Sequence, residues 1–253
     1  MNIPWYFLWS ERYGVFCDIL TGLVSDKYFD LYPIEKPQEL FNNTTYKKDL
    51  HFLCGMYLKD YEIMKLLEVI PENQYFIFSD VDLVVEEEAL YNYLTPFIEK
   101  GIDMMFMKEN DDVVNVGFMV IKNSKHTKNL FNSVMKVLNE NPNLLDQTVI
   151  NDALKGWEGT YEVLSPKYIT SNVNIDIQKP ENTESICVFQ PLCTAFKDYR
   201  LNILEKLISF KFLFNVNTDE HIDELISQLD DEGKFIINQI INLYRPTSLH
   251  SES

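Results

Sequence analysis

The sequence predicts an α/β fold that ends in a helical C-terminal extension. Apolar residues make up 46% of the 253-residue chain, with 17 Phe and 14 Tyr, enough to bury a sizeable core. Strand-like and helix-like segments alternate over most of the length. From Leu201 the texture changes and stays helical to about Tyr244. The organisation expected is one α/β domain over residues 1–200, with residues 201–253 packed on it.

The elements follow in order. Ile3 to Trp9 reads as a first strand and Ser10 to Tyr13 as a loop. Phe16, Ile19, Leu20 and Leu23 mark one face of a helix over Phe16 to Val24. Phe29 to Ile34 reads as a second strand, ended by Pro33 and Pro37. Tyr57, Met64, Leu67 and Ile70 keep the helical period over residues 55–70, and Pro71 stops that helix. Tyr75 to Phe78 is an apolar strand. A helix over Glu87 to Lys100 follows, with acids at its favourable N-terminal end and Gly101 beyond it. Strands are expected over Ile102 to Met107 and Val116 to Ile121, then a helix capped by Asn123 or Ser124. Leu145 to Leu154 is a shorter helix, and Tyr161 to Leu164 and Ile186 to Phe189 are short strands. Three helical segments close the chain, with breaks near Asn217 and Gly233 and a frayed tail from Pro246.

Charge narrows the function. A net charge of -17 repels phosphate backbones and anionic membranes, which argues against nucleic acid as a partner. The four cysteines form no CxxC pair and read as reduced thiols of a cytoplasmic protein. The N-terminal residues lack the basic start and apolar stretch of a leader, and no run approaches the ~20 apolar residues of a membrane anchor.

The informative stretch is YFIFSDVDLVV. Four large apolar residues run into Ser79, and then Asp80 and Asp82 interrupt what reads as a buried strand. Side chains alternate across a strand, so the two acids share a face, roughly 6.5–7 Å apart. Where the strand ends they point into the cleft that open α/β sheets use for ligands. Buried, unpaired carboxylates are severely destabilising, and a hard cation such as Mn²⁺ or Mg²⁺ removes the difficulty. Two chemistries use such a pair. In one, a metal bridges the diphosphate of a nucleotide sugar. In the other, the haloacid-dehalogenase-type phosphatases, Asp80 is the nucleophile and Asp82 the general acid. That second pattern lacks its downstream acidic motif here and sits late in the chain.

Two further stretches matter. In NVGFMVI, Gly117 permits close backbone approach and Asn115 offers both a donor and an acceptor. In LDQTVIND, Asp146 and Gln147 open a helix, where Asp146 also suits an N-cap.

Together FIFSDVDLVV, NVGFMVIKNS, LDQTVIN and the late VFQPLCTAFK resemble the ordered motifs of the nucleotide-diphospho-sugar transferases, over roughly residues 5–200. LSPKY, at Leu164 to Tyr168, is similar to a local motif of retaining galactosyl and blood-group transferases. The resemblance implies a GT-A-like twisted mixed sheet flanked by helices, and a glycosyltransferase that moves a sugar, UDP-linked, to a hydroxyl acceptor with retention. It implies Asp82 and Asp80 as metal ligands, with Asp80 and Ser79 also at the nucleotide. Asn115 and Gly117 would line the sugar or acceptor site, Asp146 would hold sugar hydroxyls, and Gln147 would lie near the anomeric carbon. Lys197 would contact the diphosphate. Where the family commonly has a third metal ligand, a His, this chain has Gln190, whose amide oxygen is a neutral donor. By position, Tyr6, Trp9 and Arg12 are expected around the base. Lys59 either faces solvent or reaches the donor. A phosphatase and a non-catalytic nucleotide-sugar-binding protein remain as alternatives.

Overall fold

Among the described residues two sheets organise the fold, and the candidate acids lie where they meet. The computed structural model describes residues 2–41, 50–172, 174, 183–192, 196 and 198–244. The strands are β1 (Ile3–Trp9), β2 (Phe29–Glu35), β3 (Tyr75–Ser79), β4 (Val84–Val85), β5 (Met104–Lys108), β6 (Val114–Lys122), β7 (Tyr161–Val163), β8 (Ile169–Ser171) and β9 (Val188–Gln190). The helices are α1 (Gly14–Leu23), α2 (Leu50–Val69), α3 (Glu87–Glu99), α4 (Lys125–Glu140), α5 (Asp146–Leu154), α6 (Tyr199–Phe214), α7 (Asp219–Ser227) and α8 (Asp231–Tyr244).

The larger sheet has the order β2-β1-β3-β6-β5-β7 and is mixed. β1 runs parallel to β2 and β3, whereas β6 is antiparallel to both β3 and β5. The smaller sheet has the order β4-β9-β8. Helices cover both faces of the larger sheet, so its central strands carry apolar residues at successive positions instead of alternating with polar ones. Ile77 of β3 packs in one core with Phe118, Leu20 of α1, Leu94 of α3 and Leu204 of α6. Phe76 and Phe78 face the other core, with Leu67 of α2, Val134 of α4 and Ile150 of α5. Phe210 of α6 meets Phe16 edge-on at 5.8 Å, so the last helices share a core with the first.

Several boundaries differ from the sequence reading. β2 continues through Pro33 to Glu35, paired with β1 in register Phe7 to Pro33. It is the outer strand, where a proline costs no ladder bond on the open side. α2 begins at Leu50, five residues early, because residues 50–54 lack the polar spacing that marked the rest. Gly233 lies inside α8, with its N–H donated to Asp230 Oδ1 at 2.8 Å, so the break falls before it. Asn215, left-handed at φ 54°, ends α6. β4 and β8, two and three residues long, are additional to the strands expected from the sequence. Ser124 caps α4 with a reciprocal box to Thr127. Cys17, Cys54 and Cys187 are free thiols. Among the described residues no helix is long and apolar enough to cross a membrane. The tail from Pro246 lies outside the described residues.

Candidate active site

β3 ends at Ser79, and the chain leaves the sheet at once. Ser79 Oγ accepts from Trp5 Nε1 at 2.8 Å and donates to the Asp80 carbonyl at 2.8 Å. The Asp80 N–H donates to the Gly117 carbonyl of β6 at 2.8 Å. By Val84 the chain has joined the smaller sheet. Asp80 and Asp82 therefore occupy the link between two sheets, not one face of a continuing strand. The divergence of the sheets opens a cleft of about 280 Å³ at this edge, lined by both acids and by Ser79, Lys59, Asp146, Gln147 and Gln190, among others.

α2 and α5 supply the floor. Lys59 Nζ lies 2.9 Å from Asp146 Oδ2 and 3.7 Å from Asp80 Oδ1, and donates to the Val116 carbonyl at 3.4 Å. Lys59 is 3% exposed, which excludes the solvent-facing alternative. Burial pulls its pKa down, but Asp146 and Asp80 outweigh that and hold the ammonium above the usual lysine value. Asp146 is the first residue of α5, where the helix dipole favours an acid, and its Oδ1 accepts from the Gln147 N–H at 2.7 Å.

β6 forms a wall. Asn115 Oδ1 accepts from the Gly117 N–H at 2.6 Å and its Nδ2 donates to Glu109 Oε2 at 2.6 Å, so both polar ends hold the strand's own shape. The space that Gly117 leaves is filled by Gln190. A Cβ at Gly117 would lie 2.1 Å from Gln190 Oε1.

β9 and α6 complete the cleft. Gln190 Nε2 donates to Asp80 Oδ2 at 2.7 Å and reaches Asp82 Oδ1 at 3.4 Å. Lys206 of α6 places its ammonium on Asp82 Oδ2. Tyr13 stands beside this pair, and burial pushes its phenol up to about 12, so it stays a neutral hydrogen-bonding group.

Trp9 and Arg12 line the cleft, with the Arg12 guanidinium 3.9 Å above the Tyr199 ring. Tyr6 does not. It sits mid-strand and stacks on Tyr32 at 4.9 Å, away from the edge. Lys197 lies outside the described residues. Sequence reasoning missed Glu109, Tyr13 and Lys206. Lys206 left only a partial signal: its neighbours Leu204, Leu207, Ile208 and Phe210 imply a buried stem but do not say where the ammonium goes.

The profile of the nucleotide-diphospho-sugar transferases matches residues 30–224. The chain belongs to that family. The transferase has the GT-A fold of known glycosyltransferases. A glycosyltransferase involved in glycosylating the major capsid of PBCV-1 is 15% identical, with a TM-score of 0.55, over 78% of this chain and 95% of that one. GlyE of Streptococcus pneumoniae TIGR4 is 14% identical, with a TM-score of 0.50, over 96% of this chain and 64% of its own. An active-site mutant of LgtC is 12% identical, with a TM-score of 0.50, over 92% of this chain and 99% of that one. No curated protein matches the transferase in sequence. The family match removes the phosphatase reading of Asp80 and Asp82, and the transferase is an enzyme by family.

The residues do not fit a divalent ion at Asp80, Asp82 and Gln190. Gln190 turns its N–H₂, not its oxygen, to both carboxylates, and its buried Oε1 has no hydrogen-bond partner among the described residues. Asp82 Oδ2 already carries the Lys206 ammonium. Among the described residues no group of three His, Cys, Asp or Glu side chains converges to hold an ion.

Proposed function

We propose that the cleft binds a nucleotide-diphospho-sugar, uridine-linked, and transfers its sugar to a hydroxyl acceptor with retention of configuration. The observation that carries this reading is the convergence of Asp80, Asp82, Asp146, Gln147 and Lys59 at the C-terminal edge of β3. Trp9 and Arg12 flank the base and ribose at one end, where Trp9 offers a flat apolar face and Arg12 a fixed charge. Ser79 and Asp80 border the ribose. Asp146, immobilised by Lys59, accepts from sugar hydroxyls, and the Asn115–Gly117 segment walls the sugar in.

The chemistry follows from Gln147. A carboxamide is too weak a nucleophile to form a stable glycosyl-enzyme, so the acceptor oxygen attacks on the face the diphosphate leaves. The C1–O bond breaks with its electron pair on the leaving phosphate, the bond from C1 to the acceptor forms, and the acceptor proton passes to that phosphate oxygen. The Gln147 oxygen stabilises positive charge at C1, and the enzyme otherwise supplies position and electrostatics. Residues 1–200 and the helical extension act as one unit, because α6 brings Lys206 into the cleft. Mn²⁺ or Mg²⁺ has no step in this reading.

The test is a panel of uridine, guanosine and adenosine diphospho-sugars with simple sugar acceptors, followed by nucleotide release and by NMR of the product anomer. One or two uridine-linked donors are expected to turn over with retained configuration, and Gln147→Ala to lower kcat by about 10²-fold. An inverted product would sink the retention, and a panel in which no donor binds or reacts would sink the reading itself.

A further inference from the structure

Resting on that reading of the cleft, we propose that the Lys206 ammonium stands where a divalent ion would, engaging the donor's diphosphate directly, so that donor binding needs no metal. Lys206 is 6% exposed, lines the cleft and pairs with Asp82. A second ammonium, Lys59, lies 3.7 Å from Asp80. Two single positive charges thus face the same two carboxylates that a dication would bridge.

The lysine is held there by its helix. Asp198 caps α6, accepting from the Arg200 N–H at 2.9 Å. Asn202 brackets the preceding chain, accepting from the Phe196 N–H at 3.0 Å and donating to its carbonyl at 2.7 Å. The Thr218 hydroxyl donates to the Leu207 carbonyl at 3.2 Å, and Phe210 packs on Phe16. With the backbone tied on both sides of it, Lys206 sits at the cleft wall, 6% exposed and paired with Asp82.

A dication beside it would meet like charge in a poorly solvated place. Gln190 agrees with this arrangement. Its N–H₂ serves carboxylates that the Lys59 and Lys206 ammonium groups already neutralise. An ammonium is a point charge suited to phosphate, and a fixed one stabilises charge developing on a leaving diphosphate.

The test is UDP binding by calorimetry, with GDP and ADP beside it, in EDTA and in Mn²⁺, to wild-type protein and to Lys206→Ala and Lys206→Arg. Wild-type affinity for UDP is expected to agree within about twofold between EDTA and Mn²⁺. Lys206→Ala is expected to bind at least about tenfold more weakly in EDTA, with Mn²⁺ admitted to the freed Asp82 recovering the loss, and Lys206→Arg to bind more tightly than Lys206→Ala in EDTA. Wild-type binding that requires Mn²⁺ overturns the inference and leaves the donor reading intact. A Lys206→Ala protein that binds as wild type in EDTA, or whose loss Mn²⁺ does not recover, overturns the assignment to Lys206. Absence of nucleotide binding in both conditions overturns this inference and the donor reading together. The wild-type comparison decides the metal question even if the alanine variant fails to fold, and Lys206→Gln, which keeps most of the stem without the charge, then decides the assignment to Lys206 by the same loss in EDTA.

Discussion

Gln190 occupies the volume that a side chain at Gly117 would need, with its Oε1 2.1 Å from where a Cβ would stand. Gly117 lines the cleft, and the group that fills the place of its missing side chain is another part of the chain, 73 residues on. Gln190 is 2% exposed and tied to Asp80, so it has little freedom to yield. Gly117→Ala is expected to lower stability by roughly 1–3 kcal/mol through overpacking. Thermal melts of Gly117→Ala, Gln190→Ala and the double variant check this. The double variant should lose less than the sum, because removing Gln190 removes the clash. Additive losses would show that the contact is not what constrains Gly117.

Lys59 and Asp146 form an ion pair with side chains 4% and 2% exposed. Removing one partner of such a pair strands the other in a medium that solvates it poorly. Lys59→Met is expected to cost about 3–5 kcal/mol in urea denaturation, with Lys59→Met/Asp146→Asn recovering part of it. A single variant within experimental error of wild type would refute the pairing.

Asp60 is fully buried, and among the described residues neither carboxylate oxygen has a hydrogen-bond partner. Burial and then the Asp146 charge raise its pKa well above the usual carboxylate range. A carboxyl that holds its proton more tightly when folded lends stability below its unfolded pKa and withdraws it as pH climbs through the folded value. Asp60→Asn mimics the protonated acid, so its stability relative to wild type should grow as pH rises above about 4. Paired melts across pH test this on the difference, which cancels the other acids. A constant difference would contradict it.

Asn123 ties the end of α2 to the start of α4, far along β6 from the cleft. Its Nδ2 donates to the Leu67 and Ile70 carbonyls at 3.0 and 2.5 Å. These are last-turn acceptors that the helix itself cannot satisfy. Asn123→Ala is expected to cost about 1–3 kcal/mol and to leave UDP affinity unchanged. Affinity that falls in step with stability would mean the two regions are coupled.

Much of the fold was legible because its signals are local. The apolar run of β3, the period of α2 after residue 55 and the Ser124 cap each declare themselves within a few residues. The site was half legible for the same reason. Asp80, Asp82, Asp146 and Gln147 mark the ends of elements, where a polar residue interrupts an apolar pattern. Tyr6 was misplaced because position along β1 does not say which residues reach the edge.

By itself the sequence determined the order of most strands and helices, the family, and the presence of two acids at a strand end, since period and interruption depend only on neighbours along the chain. Tertiary structure alone decided what neutralises those acids. Asp82 meets Gln190 and Lys206 across 108 and 124 residues, and both contacts depend on how β9 and α6 pack. A lysine stem on an apolar helix reads the same whether its charge reaches water or a carboxylate, and only the packing of α6 against the sheet selects the carboxylate.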